Sequence, residues 1–136
     1  MVVTVLQLLS KKGSKIYSIS SNTTVFEAVA LMSKHEVGAL LVMDGSRLVG
    51  VISERDYTWK VILKDRSSKT IAVQEIMTSK VICVSSDNNI DECMVLMNEN
   101  SIRHLPVIDN CSIVEVISIM DVIKSLMSEK NLLLSN

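Results

Sequence analysis

Hydrophobic residues change their spacing several times along the chain, and each change marks an element. Residues 15–19 alternate loosely over a short stretch, which predicts a strand. Thr24-x-x-Glu27 follows, a side-chain acceptor with a Glu three residues on, the signature of a helix start. Behind it Val25, Ala28, Val29, Leu31 and Met32 share one helical face. Ala39–Met43 is a continuous apolar run closed by Asp44-Gly45, a tight-turn dipeptide, and Leu48–Ile52 is a second run. Together they predict a hairpin whose strands are covered on both faces. Ser53-x-x-Asp56 then opens a last helix over Tyr57–Leu63.

The same succession returns 65 residues later. Residues 80–84 repeat the first strand. Asn89-x-x-Glu92 repeats the helix start, with Ile90, Cys93, Met94 and Met97 on the apolar face. Leu105–Ile108, Asp109-Asn110 and Ile113–Ile117 repeat the hairpin, and Ser118-x-x-Asp121 opens a helix over Val122–Met127. Residues 14–57 fall on 79–122 without a gap, and fifteen of the 44 pairs are identical, against roughly three expected by chance. The densest run is Val51-Ile52-Ser53 with Asp56, matched by Val116-Ile117-Ser118 with Asp121. Even the lead-in repeats, because Val5, Leu8, Leu9 and Ser10 match Val73, Ile76, Met77 and Thr78 at an offset of 68. Each copy therefore reads strand, helix, strand, strand, helix, an α+β unit. The boundaries expected are a lead-in helix over 1–13, a first copy over 14–64, a linker with a short helix over 65–78, a second copy over 79–128 and a loosely held tail over 129–136. Two copies with little else place the function between them.

At 136 residues, each copy is too small to bury enough surface by itself, so the two are expected to share a core. Apolar residues make up 48% of the chain and aromatic residues only 3%, so that core is aliphatic, with eight Met to fill it. Fourteen basic against fifteen acidic residues leave a net charge of −1, without the basic excess of nucleic-acid or membrane-surface binders. Cys83, Cys93 and Cys111 are an odd number without paired spacing, and Cys93 and Cys111 fall on apolar faces. They read as reduced, buried thiols in a cytoplasmic protein. The N-terminus lacks a basic region and a small-residue cleavage site, and no apolar run reaches the length of a membrane span.

GVISERD (50–56), IRHLPVID (102–109) and EIMTSKVICVSSD (75–87), in this order of elements, resemble parts of cystathionine-β-synthase (CBS) domains. The resemblance covers about residues 5–128. It implies a tandem βαββα CBS-domain pair packed about a pseudo-twofold axis, with two clefts and a regulatory role. The ligands it implies are adenine nucleotides (AMP, ADP or ATP) and, in some stand-alone pairs, NAD.

By that resemblance the first cleft takes Gly50, Val51, Ser53, Arg55 and Asp56 from one copy. From the other come Ile82 and Ile102 against the base, Arg103 and His104 toward the phosphate, and Pro106 in the same loop. The chemistry suits those roles. A helix starting after Ile52 offers unpaired N–H groups and a positive dipole end to a phosphate, and the Ser53 hydroxyl adds a donor. Asp56 is an acceptor for both ribose hydroxyls, and Gly50 leaves room for the ligand. The second cleft, expected to be weaker, takes Tyr17, Val37, Gly38 and Ala39 with Val116, Ser118 and Asp121, Tyr17 stacking on adenine. Here the chain departs from the family pattern: Glu115 stands where the first copy has Gly50, and Met120 where a small residue is common.

Plainer roles compete. Both Ser/Asp pairs are capping boxes in any helix, His35 near a helix end suits the dipole, and Met32, Met94 and Met97 are core filler. No GxSxG elbow, no GxxxxGK[ST] loop and no ligand-spaced metal cluster is present, so neither an enzyme nor a catalytic cofactor is expected. The expected function is a nucleotide-binding regulatory module that senses energy or redox state and acts on a partner protein. The alternative is a structural dimerisation module with degenerate clefts. In both, a homodimer is expected through the helices at 57–63 and 122–127, whose apolar faces otherwise leave a large exposed patch.

Overall fold

In the computed structural model, which describes residues 3–12 and 16–135 and only the backbone of Lys12 and 129–135, the chain forms two units. Tyr17–Val81 is one; Ile82 onward, together with the chain before Tyr17, is the other. The N-terminal lead-in therefore belongs with the second copy.

In the first unit β1 (Ser18–Ile19) leads through α2 (Val25–His35) to β2 (Ala39–Asp44), which it pairs in parallel; β3 (Arg47–Ser53) returns antiparallel, giving the order β1-β2-β3. A short α3 (Glu54–Tyr57) runs on into a π-helical segment, Thr58–Ile62, and a 3₁₀ turn, Val73–Glu75, closes the unit. The second unit holds α1 (Val5–Lys12), α4 (Ile90–Asn100), the hairpin β4 (His104–Asp109) and β5 (Ser112–Ser118), and α5 (Ile119–Ser135). α5 continues to Ser135, where a loose tail from 129 was expected.

The two lead-ins are anchored by matching bonds. Val25 N–H donates to the Ile71 carbonyl (3.0 Å) and Val73 N–H to Thr23 (2.8 Å). In the other unit Ile90 N–H donates to Val3 (2.9 Å) and Val5 N–H to Asn88 (2.8 Å). Shifted by 65 and 68, these are the same contacts: each lead-in docks on the copy that does not follow it directly in α1's case, and on the copy it leaves in the other.

Residues 80–84 do not form the expected strand; Val84 alone bridges Val107 in parallel. The cause is one residue. In the first unit Leu41 N–H donates to the Tyr17 carbonyl at 3.2 Å. Its counterpart is Pro106, which has no N–H to give. Only the bonds from Val84 N–H to Pro106 (3.0 Å) and from Ile108 N–H to Val84 (2.8 Å) remain.

Leu40, Leu41 and Val42 are buried in succession, as are Leu105, Pro106 and Val107, so both faces of these strands are covered, as expected. Each hairpin carries the same register shift, after Val42 and after Val107. The buried aliphatics form one cluster within each unit. Cys93 is buried, and desolvation, with the charge of Glu92 adding to it, pushes its thiol up to about 11. Cys111 is exposed, against expectation, because it stands in the β4–β5 turn with φ +63°.

Candidate ligand-binding site

The capping expectation at the end of β3 is met. Ser53 N–H donates to Asp56 Oδ2 at 2.9 Å, and Asp56 N–H donates to Ser53 Oγ at 3.2 Å. Ser53 Oγ also donates to Asp56 Oδ2 at 3.1 Å. Asp56 is only 9% exposed, unusual for a carboxylate and sustainable because both oxygens are engaged. The second partner is Lys60, one turn on, whose Nζ lies 2.9 Å from Asp56 Oδ1 and donates to the Ile76 carbonyl at 2.8 Å.

The helix start is less open than an unpaired N-terminus. Glu54 N–H donates to the Gly38 carbonyl at 3.0 Å, and Asp56 N–H is taken by the Ser53 cap. Gly38 and Ala39, which the resemblance assigned to the second cleft, thus lie beside the first-cleft pair within one unit, Ala39 opposite Ser53 in the ladder. The second unit repeats the arrangement. Ile119 N–H donates to the Arg103 carbonyl at 2.8 Å, and His104 lies opposite Ser118. Ser118 N–H donates to Asp121 Oδ2 at 2.8 Å, and Asp121 N–H to Ser118 Oγ at 3.2 Å. Four residues beyond Asp121 the chain has Ser125, not a lysine.

Gly50 faces protein. A Cβ there would lie 2.7 Å from Met77 Sδ and 2.9 Å from the Thr78 carbonyl oxygen. The glycine lets Thr78 close on β3, where Val51 and Thr78 exchange both backbone bonds, at 3.0 and 2.9 Å. Its counterpart Glu115 is 2% exposed and accepts from Val116 N–H at 2.9 Å through Oε1.

Tyr17 stacks on His35, centroids 3.8 Å apart and planes 13° from parallel. That gives His35 a partner beyond the helix dipole and occupies one face of the ring assigned to adenine. Val37 is half-buried, with its N–H on the Met32 carbonyl at 3.0 Å. Ile82, Ile102 and Val116 are also half-buried, Arg103 is exposed, and Met120 is 53% exposed. Arg55 lies over the Trp59 ring, 4.1 Å from its centroid.

Sequence reasoning passed over two clamps. Ser21 N–H and Oγ donate to Asp44 Oδ1 at 3.1 and 2.9 Å, and Ser86 N–H donates to Asp109 Oδ1 at 2.9 Å with its hydroxyl on Oδ2. The hydroxyl bonds foremost, then the backbone bonds, hold both carboxyls below the ordinary 3.8. All four residues were visible as identities of the repeat, but a partner 23 residues away leaves no local mark. Lys60 did carry a signal, an acid–base spacing of four. Among the described residues no cluster of His, Cys, Asp or Glu is placed to hold a metal, and no helix is long and apolar enough to cross a membrane.

Comparison with known proteins places this geometry in a family. The CBS domain model matches residues 5–60 and 73–128. The mitochondrial CBS domain-containing protein CBSX3 of Arabidopsis thaliana is 40% identical over 125 residues, 88% of this chain and 60% of the relative, so the chain spans less than two thirds of that protein's length. A solved protein with CBS domains from Burkholderia ambifaria is 43% identical with a TM-score of 0.87, covering 94% of this chain and 95% of the other. The CBS domain pair of protein MJ0100, solved with 5′-methylthioadenosine and S-adenosyl-L-methionine, is 26% identical with a TM-score of 0.81, covering 96% and 99%. Two family matches on two repeats that end in the same Ser/Asp cap identify this chain as a member of the CBS-domain family, carrying two CBS domains.

Proposed function

We propose that this chain is a regulatory, non-catalytic CBS pair that binds an adenine nucleotide (AMP, ADP, ATP or NAD) and passes its occupancy to a partner protein. The observation that carries the reading is the buried Asp56 carboxylate, oriented by the Ser53 cap at the end of β3 and echoed by Ser118 and Asp121. Adenosyl ligands on the MJ0100 pair support the same ligand class here. In this reading Asp56 takes the ribose, the Ser53 hydroxyl turns to the phosphate, and Arg55, Ile82, Ile102, Arg103, His104 and Pro106 complete the site as the family pattern implies.

The test is binding of AMP, ADP, ATP, NAD and S-adenosylmethionine, followed by melting shift and calorimetry. A ligand at a hundred times its Kd stabilises by about 2.7 kcal/mol. Asp56→Ala is expected to weaken binding roughly ten- to a hundredfold, the loss of a charge-assisted contact. 2′-Deoxy-AMP is expected to bind the wild type more weakly, with little further loss on the variant. Additive losses assign Asp56 to capping alone.

The dimerisation-module reading draws on Glu115, buried and turned onto its own strand where the first copy has Gly50. It predicts no binding across the panel. Both readings share a homodimer through 57–63 and 122–127, supported by Trp59, Ile62 and Leu63 at 54%, 53% and 69% exposure. Light scattering near 15 kDa at tens of micromolar overturns it.

A further inference from the structure

The acceptor capacity of Asp56 is nearly used up. A carboxylate offers about four lone-pair positions. Ser53 N–H and Ser53 Oγ take those of Oδ2, and the Lys60 ammonium takes one on Oδ1. One position is left, whereas a ribose presenting two vicinal hydroxyls needs two. The Ser53 N–H is fixed by the backbone, and a ligand without a phosphate gives the Ser53 hydroxyl no reason to turn away, so the lysine is the donor to be displaced: its side chain is 45% exposed on a flexible stem. Its second bond, 2.8 Å to the Ile76 carbonyl, ties the π-helical segment to the 3₁₀ turn at Val73–Glu75.

We propose that Lys60 is an internal competitor for the nucleoside diol at Asp56. It occupies Oδ1 and must withdraw for both hydroxyls to bind. Its withdrawal also releases Ile76, so ligand entry loosens a contact between two elements of the same unit. In the second copy Ser125 stands at the same spacing from Asp121. This inference rests on the assignment of ribose to Asp56 above.

The probes are adenosine and 2′-deoxyadenosine, which lack a phosphate for the lysine to attract. Lys60→Met is expected to tighten adenosine roughly three- to tenfold, the scale of a partly exposed ion pair with an added charge-assisted bond. The deoxynucleoside, with one hydroxyl to place, gains little. Should Lys60→Met fold poorly, Lys60→Gln keeps a donor for the Ile76 carbonyl without the charge, and the same selective gain is expected. In the wild type, acetylation by an N-hydroxysuccinimide ester, read by mass spectrometry, is expected to be slow at Lys60 relative to exposed Lys64 and to quicken when adenosine binds. Weaker adenosine binding by both variants, or slower labelling of Lys60 with adenosine bound, makes the lysine a ligand contact and overturns the proposal. Adenosine binding that no Lys60 substitution alters overturns it and leaves the nucleotide reading standing. Absence of binding by wild type and variants overturns both.

Discussion

The Thr78 carbonyl oxygen lies 2.9 Å from where a methyl group on Gly50 would stand. The obstruction is backbone, held by two bonds to Val51, so it cannot swing aside. Gly50→Ala is expected to cost about 1–3 kcal/mol, the usual scale of overpacking. Shortening the neighbour, as in Gly50→Ala with Met77→Ala, is expected to recover only part of it, because the Met77 thioether is the lesser obstacle. Chemical denaturation of the single and double variants checks this.

Asp44 and Asp109 make stability sensitive to acid. Their hydroxyl and backbone bonds lower both folded-state pKa values below 3.8, so the protonated forms are disfavoured in the fold. The stabilisation is fully present above the unfolded value and is lost as pH falls through the lower folded value. Melting temperature measured from pH 5 down to pH 2 is expected to fall more steeply for the wild type than for Asp44→Asn with Asp109→Asn.

Ser53→Ala removes the cap of α3 and one of the donors to Asp56. It is expected to destabilise by about 1 kcal/mol, while Ser53→Asp, which restores an acceptor for the Asp56 N–H, places a second carboxylate beside Asp56 and is expected to recover little. Thermal melting of both variants against the wild type checks this.

The three thiols are expected to differ in reactivity. Cys83 and Cys111 are exposed, whereas Cys93 is buried with its thiol raised to about 11. At pH 8, alkylation of the folded protein is expected at Cys83 and Cys111, with Cys93 reacting only after unfolding. Mass mapping of the alkylated peptides reads the result.

Cys111 holds φ +63° beside Asn110 at φ +51°, the pair of positive angles that a type I′ hairpin turn requires. A side chain other than glycine or asparagine costs about 1 kcal/mol in this region. Cys111→Gly is therefore expected to raise the melting temperature by a few degrees, with the thiol count falling by one.

The sequence by itself determined the repeat, the order of elements apart from the strand at 80–84, and the four helix-opening caps. These rest on local chemistry: a period of apolar residues, a turn dipeptide, and an acceptor three residues from its partner. Thr24, Ser53, Asn89 and Ser118 all accept the bonds their spacing predicts. The tertiary structure alone decided which copy receives each lead-in, because the bonds at Val3 and Ile71 join residues far apart in the chain. It also decided what Gly50 is for, since the atoms it accommodates belong to residues 77 and 78. Pro106 lies between the two cases. Its missing N–H was legible from the start, but the strand it cancels became visible only when Leu41 was seen donating to Tyr17. Asp56 shows the same division: its spacing from Ser53 predicted the cap, and only the fold brought the Ile76 carbonyl to the lysine that fills its remaining oxygen.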